Sequence, residues 1–153
     1  MEKDREYEGL LVGIGEEEFL DLSSSGRAYV FEERREIIGV CAAKDATGAD
    51  LGVKESEYND LLFDLNWNGE RVLALRYIGI DPRFQHRGVG GELLAAALGR
   101  FPHCSFLCLI QKEDERAISL FQKKGFVKVK SQENGDVYAK MYIQPGLCRN
   151  IGW

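Results

Sequence analysis

The chain has 153 residues, 44% of them hydrophobic and 29% charged, and a formal net charge of −5 at pH 7. This length predicts a single domain over residues 1–153, and the acidic balance argues against nucleic acid as a partner. No apolar run approaches the roughly 20 residues of a membrane span, and the first residues lack a signal-peptide layout, so we expect a cytoplasmic protein with no membrane partner.

The N-terminal part of the chain is predicted to contain one short helix and one pair of strands. Residues 16–25 have a helical pattern that ends at Gly26. Residues 28–33 and 36–43 are predicted to form an antiparallel pair of strands that turns at residues 34–35. These elements are short, as the frequent glycines of the chain indicate.

An acidic and irregular region follows. Residues 44–58 contain two glycines and several acids, and we predict a loop there. In residues 58–67 helix and strand patterns compete, and a loop or short strand is favoured. Asn68 and Gly69 mark a turn. Residues 71–80 then form an apolar run that predicts a central strand.

A glycine-rich, basic loop follows the central strand. Residues 81–91 read Asp-Pro-Arg-Phe-Gln-His-Arg-Gly-Val-Gly-Gly and lead into a helix built on Leu93, Leu94, Ala97 and Leu98. Small residues allow several backbone N–H groups to converge on one anion at the start of a helix. Two arginines and a histidine lie among them, so the expected anion is a phosphate or pyrophosphate.

Three known phosphate-binding loops compete for this segment. A Walker loop needs Gly-Lys-Ser/Thr before the helix, whereas Gly91 is followed by Glu92. A Rossmann loop needs a third glycine three residues after Gly90, and that position is Leu93. The third pattern, Gln/Arg-x-x-Gly-x-Gly/Ala after a strand, fits residues 85–90 completely. In this respect the chain resembles the GNAT superfamily of N-acetyltransferases.

A second segment strengthens the resemblance. Residues 105–110 are strand-like and lead into residues 114–126, which are similar to the family's Asn-x-x-Ala-x-x-Leu-Tyr-x-Lys-x-Gly-Phe helix. A closing strand pair, 127–130 and 136–143, is joined through Glu-Asn-Gly, a hairpin signal. The resemblance implies an α/β (α+β) fold: a mixed, mostly antiparallel central sheet flanked by helices, with splayed central strands.

The resemblance also implies acetyl-CoA (coenzyme A) as the cofactor, with its pyrophosphate in the 81–91 loop. Backbone groups of the central strand would pair with its pantetheine arm and polarise the acetyl carbonyl. Asp114 stands where the family has asparagine, and it also reads as a helix N-cap. The residues expected at the cofactor are Ile78, Gly79, Ile80, Arg83, Gln85, His86, Arg87, Gly88, Val89, Gly90, Gly91, Asp114, Ala117 and Phe121.

The catalytic groups are less well marked. Many relatives place a glutamate at the position of Ala74, and the family's frequent acid, a tyrosine, is replaced by Phe121. Candidate catalytic residues are therefore Glu70 as base, with Asp64 as an alternative, and Tyr77 or Tyr138 as acid, with Tyr142 or water as alternatives. The implied function is N-acetylation of a primary amine of a small molecule or of a peptide or protein. The alternative is an acyl-CoA-binding sensor or partner-binding module with little turnover.

The acidic residues of the chain also fit the implied function, and the cysteines and the C-terminal segment lead to two further expectations. Residues 45–70 hold seven acids against one base, which suits a cationic amine beside a basic cofactor loop. The four cysteines lack metal-ligand spacing, so we expect reduced structural thiols and no metal site. The last strand and the apolar tail after it are candidate surfaces for a homodimer.

Overall fold

The computed structural model describes residues 8–9, 28–33, 36–80, 83 and 88–143. Their helices are α1 (Glu55–Asp64), α2 (Val89–Arg100) and α3 (Glu115–Lys123), preceded by a short 3₁₀ helix at Gly48–Leu51. Their strands are β1 (Glu8–Gly9), β2 (Ala28–Glu33), β3 (Glu36–Asp45), β4 (Val72–Ile80), β5 (Ser105–Ile110), β6 (Val127–Gln132) and β7 (Gly135–Lys140).

These strands form one mixed sheet. The order is β2-β3-β4-β5-β7-β6, and β1 also pairs with β4. The β4–β5 pair is parallel and the other pairs are antiparallel. Helix α2 makes the crossover between β4 and β5, as a parallel pair requires. The predicted fold class, a mixed and mostly antiparallel sheet flanked by helices, is confirmed.

Two apolar clusters cover the two faces of the sheet. Val72 and Leu73 are consecutive in β4 and belong to different clusters, because successive strand residues point to opposite faces. The larger cluster joins the sheet to α2 and α3 and includes Leu94 and Phe121, both 0% exposed. The smaller cluster joins the sheet to α1. Burying each leucine contributes about 1.5–3 kcal/mol, so both helix layers hold the sheet in place.

The prediction of a loop or short strand at residues 58–67 was wrong. Glu55–Asp64 is a helix whose buried side is Tyr58, Leu61 and Leu62, a spacing of three and four residues. Phe63 lies on the outer side with 83% of its side chain exposed, and this extra apolar residue obscured the helical period. The preceding segment is also more ordered than predicted, because β3 continues to Asp45 and the 3₁₀ helix follows.

The predicted hairpin after α3 is present with different ends. β6 runs two residues further than predicted, to Gln132, and β7 stops at Lys140 rather than at residue 143. Beyond β7 the backbone N–H of Tyr142 donates to Ser105 Oγ at 2.8 Å. The predicted helix at 16–25 and the tail at 144–153 lie outside the described residues. None of the described helices combines the length and apolarity needed to cross a membrane.

Candidate active site

The central feature of the site is an opening between β4 and β5. The two strands pair only where Val72–Ala74 of β4 meets Ser105–Leu107 of β5, and they diverge beyond it. On its other edge β4 stays paired with β3 as far as Ile80. The β4 edge that faces β5 is therefore left for other partners after Ala74. This is the splay of central strands that the sequence predicted.

A bulge in β4 lies beside this opening. Ala42 of β3 pairs with Tyr77, whereas its neighbour Ala43 pairs with Leu75, which leaves Arg76 as an extra residue. Such a bulge bends its strand and increases the local twist, so it helps to separate β4 from β5.

The bulged Arg76 is held by a buried carboxylate. Arg76 Nε lies 3.7 Å from Asp50 Oδ1, and Asp50 is 8% exposed. Lys44 Nζ donates to both oxygens of Asp50 at 3.0 and 2.9 Å, and the Thr47 backbone N–H donates to Oδ2 at 2.7 Å. Two cations and a backbone donor thus compensate the burial of this charge. The 3₁₀ helix thereby positions the bulge.

Four of the seven acids in residues 45–70 have hydrogen-bonding or ion-pair partners within the fold. Asp45 Oδ1 accepts from Arg71 Nε at 2.6 Å, and Glu55 Oε1 accepts from the Gly48 N–H at 2.7 Å. Within residues 45–70, all of which the structure describes, the acids without a hydrogen-bonding or ion-pair partner lie along one exposed stripe of α1, at Glu57, Asp60 and Asp64. The unpaired negative charge of the acidic region therefore lies on this stripe of α1.

The start of α2 has the form of an anion site. Its N-cap, Gly88, adopts φ 79° and provides no side-chain cap. The first N–H that finds an intrahelical acceptor is that of Glu92, bonded to the Gly88 carbonyl at 3.1 Å. The N–H groups of Val89, Gly90 and Gly91 consequently have no acceptor within the helix, and the helix dipole adds positive potential there.

The two glycines at this end of α2 serve different purposes. A Cβ on Gly88 would meet no atom within 4 Å, so glycine is required by the positive φ and not by space. A Cβ on Gly91 would lie 3.6 Å from Leu120 Cδ1, an ordinary contact. The start of α2 therefore packs directly against α3.

Lys124, directly after α3, is a residue that the sequence analysis missed. Its Cε lies 3.9 Å from the place that a Cβ on Gly91 would occupy, so the ammonium group lies near the start of α2. Its side chain forms no ion pair with any residue that the structure describes. The sequence signal was weak, because Lys124 occupies a variable position of the family pattern.

The other predicted cofactor residues are distributed as follows. Ile78 is fully buried, with its backbone paired to Cys41, and Gly79 pairs with Val40. Ile80 pairs with Gly39. Arg83 is exposed. The other three members of the predicted loop set, Gln85, His86 and Arg87, lie outside the described residues.

The predicted residues of α3 act within the protein. Asp114 Oδ1 accepts from the Ala117 N–H at 3.1 Å, so the N-cap interpretation is confirmed. Ala117 and Phe121 are both 0% exposed. The Phe121 ring packs edge-on against Phe126 with 4.9 Å between ring centroids. Any effect of these residues on cofactor binding would therefore act through the packing and the position of α3.

Of Tyr77 and Tyr138, the two leading candidates for the acid, Tyr138 is the one whose side chain lies in the described part of the structure. It pairs with Cys108, the first β5 residue beyond the β4 contact. It is 3% exposed, and its hydroxyl makes no hydrogen bond to any described residue. Burial, together with the nearby negative charge of Asp136, raises the pKa of Tyr138. The phenol therefore carries its proton at neutral pH.

Of the other two catalytic candidates, Glu70 lies away from the opening, and Tyr77 belongs to the β4 segment that borders it. Glu70 accepts from Ser105 Oγ and, at 3.0 Å, from the Asn68 N–H. It precedes Gly79 by nine residues, which is roughly 30 Å of extended strand, so it lies at the closed end of the β4–β5 pair. The backbone of Tyr77 directly follows the bulged residue Arg76, and its side chain is not among those that the structure describes.

The thiols beside the opening are not nucleophiles at neutral pH. Burial raises the pKa of Cys41 from 9.0 to about 12. Burial also raises the pKa of Cys108 well above its ordinary value. Because the thiolate is the reactive form, neither residue is suited to carry an acyl group.

The splayed sheet, the bulge and the open helix N-terminus define the class of fold. The model for the acetyltransferase (GNAT) family matches residues 3–126 of the chain. The chain therefore belongs to the GNAT acetyltransferase family, and acetyl-CoA is the donor that this family uses. No curated protein sequence matches the chain significantly.

Solved structures agree with this assignment at the level of the fold. A GNAT-family acetyltransferase from Streptococcus agalactiae has a TM-score of 0.62 at 16% identity, covering 85% of this chain and 73% of that one. Arabidopsis thaliana NAA60, solved with a bisubstrate analogue, has a TM-score of 0.64 at 15% identity, covering 85% and 84%. The PaiA N-acetyltransferase of Thermoplasma acidophilum, solved with coenzyme A, has a TM-score of 0.57 at 14% identity, covering 82% and 68%.

Proposed function

We propose that residues 1–153 form a single-domain N-acetyltransferase that transfers the acetyl group of acetyl-CoA to a primary amine of a small molecule, a peptide or a protein. The observation that carries this proposal is the opening between β4 and β5, together with the N–H groups at the start of α2 that have no acceptor within that helix. The opening can hold the extended, amide-containing pantetheine arm of acetyl-CoA, and the start of α2 can hold the phosphates of the same molecule.

The residues of the site fit this donor. Bound acetyl-CoA supplies an activated acetyl thioester. In the β4 backbone from Leu75 to Ile80, alternate residues direct their N–H and C=O groups towards the opening, where they can pair with the arm as a neighbouring strand would. Lys124 and the first N–H groups of α2 provide positive potential for the phosphates.

We propose that Tyr138 donates the proton to the departing thiolate and regains one, through water, from the ammonium that the attacking amine forms. Its raised pKa keeps the phenol protonated, and its hydroxyl has no described partner to compete with that role. The protonated thiols of Cys41 and Cys108 favour direct attack by the amine over an acyl-enzyme. Since Ala74 has no ionisable group, the attacking amine is taken from its neutral fraction in solution.

The acceptor is proposed to be cationic in its resting form. The stripe at Glu57, Asp60 and Asp64 attracts cations to the face of the sheet that α1 covers. A peptide amine is one class to test, because Arabidopsis thaliana Naa50 (TM-score 0.56, 19% identity) was solved with a bisubstrate analogue that contains the peptide MVNAL.

The proposal is tested by coenzyme A release from acetyl-CoA with a panel of small polyamines, lysine-containing peptides and peptides with free N-termini. We expect release that requires one of these amines and is saturable. Tight binding of acetyl-CoA without turnover on any amine would instead establish the acyl-CoA-binding module. A protein that binds neither acetyl-CoA nor coenzyme A would refute both functions.

A further inference from the structure

The two-residue strand β1 lies on a specific edge of β4. Glu8 pairs with Ile80 and Gly9 pairs with Gly79. The same two β4 residues also pair with Gly39 and Val40 of β3. A strand has only two edges, and one edge cannot hold two partners at the same residues. β1 is therefore on the edge opposite to β3.

That edge is the one that β5 leaves. β5 pairs with β4 only as far as Ala74, on the side away from β3. β1 consequently occupies the far end of the opening, beside the backbone of Gly79. In the proposed function this backbone pairs with the pantetheine arm, so β1 and the arm need the same hydrogen-bonding groups.

We propose that β1 is an autoinhibitory strand, which occupies the position of the pantetheine arm and has to leave before acetyl-CoA binds fully. This inference rests on the proposed function. It concerns only the arm, because β1 pairs with Gly79 and Ile80, and the proposed phosphate site at the start of α2 lies beyond the end of β4.

The docked strand is short enough to be displaced. It spans two residue pairs, whereas β3 holds β4 through seven. Its Gly9 faces Gly79, so at that pair no side chains pack across the strands. If protein in which β1 is paired with β4 is about ten times as abundant as protein in which β1 has separated from β4, the apparent affinity for coenzyme A falls about tenfold.

The first test locks β1 in place in the full-length protein. Directly opposite residues of an antiparallel pair have Cα atoms about 4.5–5.5 Å apart, within the range that a disulfide bridges. The variant Glu8→Cys/Ile80→Cys is oxidised, and its cross-link is mapped by mass spectrometry. A matched cross-link in the β2–β3 hairpin, Glu33→Cys/Glu36→Cys, is the control.

We expect the locked variant to bind coenzyme A at least about tenfold more weakly than the same protein after reduction. The control cross-link should change the affinity by less than about twofold. Adenosine 3′,5′-bisphosphate, which lacks the arm, should bind the locked and reduced forms equally.

The second test weakens β1. Glu8→Pro/Gly9→Pro removes both N–H groups, so that whichever one faces β4 is lost. We expect coenzyme A to bind this variant several-fold more tightly than wild type, with Glu8→Ala unchanged as the control.

The outcomes separate the two hypotheses. If coenzyme A binds the locked, reduced and proline variants equally, or the cross-link does not form, the autoinhibitory strand is excluded while the acetyltransferase remains. If the reduced and wild-type proteins do not bind coenzyme A at all, the proposed function fails, and the role of β1 fails with it.

Discussion

Tyr138 of β7 lies directly across from Cys108 of β5, at the point where β5 has just parted from β4. Both side chains belong to the large apolar cluster that also contains Phe121. The family's usual tyrosine position is thus filled by a phenylalanine, while a phenol from the neighbouring strand enters the same cluster.

Replacing Tyr138 with phenylalanine is expected to lower kcat about 100-fold, because general acid catalysis contributes typically 10²–10⁴-fold. The Kd for acetyl-CoA and the melting temperature should stay close to wild type, since the hydroxyl has no described hydrogen bond. Tyr142→Phe, which alters a tyrosine that packs edge-on against His103, is the control. A Tyr138→Phe enzyme with wild-type kcat would show that another group or water protonates the thiolate.

Replacing Lys124 with alanine is expected to weaken coenzyme A binding about five- to tenfold, because one cation near the phosphates is lost. The salt dependence of Kd, measured between 50 and 300 mM NaCl, should also become shallower. Lys54→Ala removes an equal charge from the N-cap of α1 and should leave Kd unchanged. Equal losses in both variants would mean that net charge matters and position does not.

The two glycines at the start of α2 should respond oppositely to alanine. Gly88→Ala places a Cβ at φ 79° and should lower the free energy of unfolding by about 1–2 kcal/mol. Gly91→Ala lies within the helix, where the contact with Leu120 is ordinary, and should raise it by about 0.5–1 kcal/mol. Urea unfolding measures the free energy of unfolding of both variants. A Gly88→Ala variant more stable than wild type would contradict the positive φ of Gly88.

Alkaline pH should destabilise the protein through Cys41. Burial raises its pKa from 9.0 to about 12, so above pH 9 the unfolded thiol ionises while the folded one stays protonated. The contribution of Cys41 to the free energy of unfolding is therefore fully present below pH 9. It is lost as the pH rises towards 12, by about 1.4 kcal/mol per pH unit and about 4 kcal/mol in all. Urea unfolding at pH 8 and pH 11 should show a smaller decrease for Cys41→Ala than for wild type.

Local patterns predicted much of the fold, because they carry most of the information about strands and caps. The apolar run of β4, the glycine-rich start of α2 and the Asp114 cap each depend on a few adjacent residues. Helix α1 was missed because Phe63 and Trp67 are apolar but exposed, and periodicity cannot distinguish an exposed aromatic residue from a buried one.

The arrangement of the site depends on contacts between distant segments. The bulge at Arg76 is visible only in the register of β3 against β4, and its partner Asp50 precedes it by 26 residues. Glu70 was nominated by its closeness in sequence to the central strand, but a strand extends roughly 3.3 Å per residue, so Glu70 lies roughly 30 Å of strand away from Gly79. Lys124 meets α2 only through the packing of two helices.

The opening that defines the site also divides the sheet mechanically. β3 and β4 share seven residue pairs and β5 and β7 share five, but β4 and β5 share only three, in the weaker parallel arrangement. Under a load that pulls β2 away from β6, the β4–β5 seam is the first set of inter-strand bonds to part. Each antiparallel half would keep its own hydrogen bonds while the two halves separate.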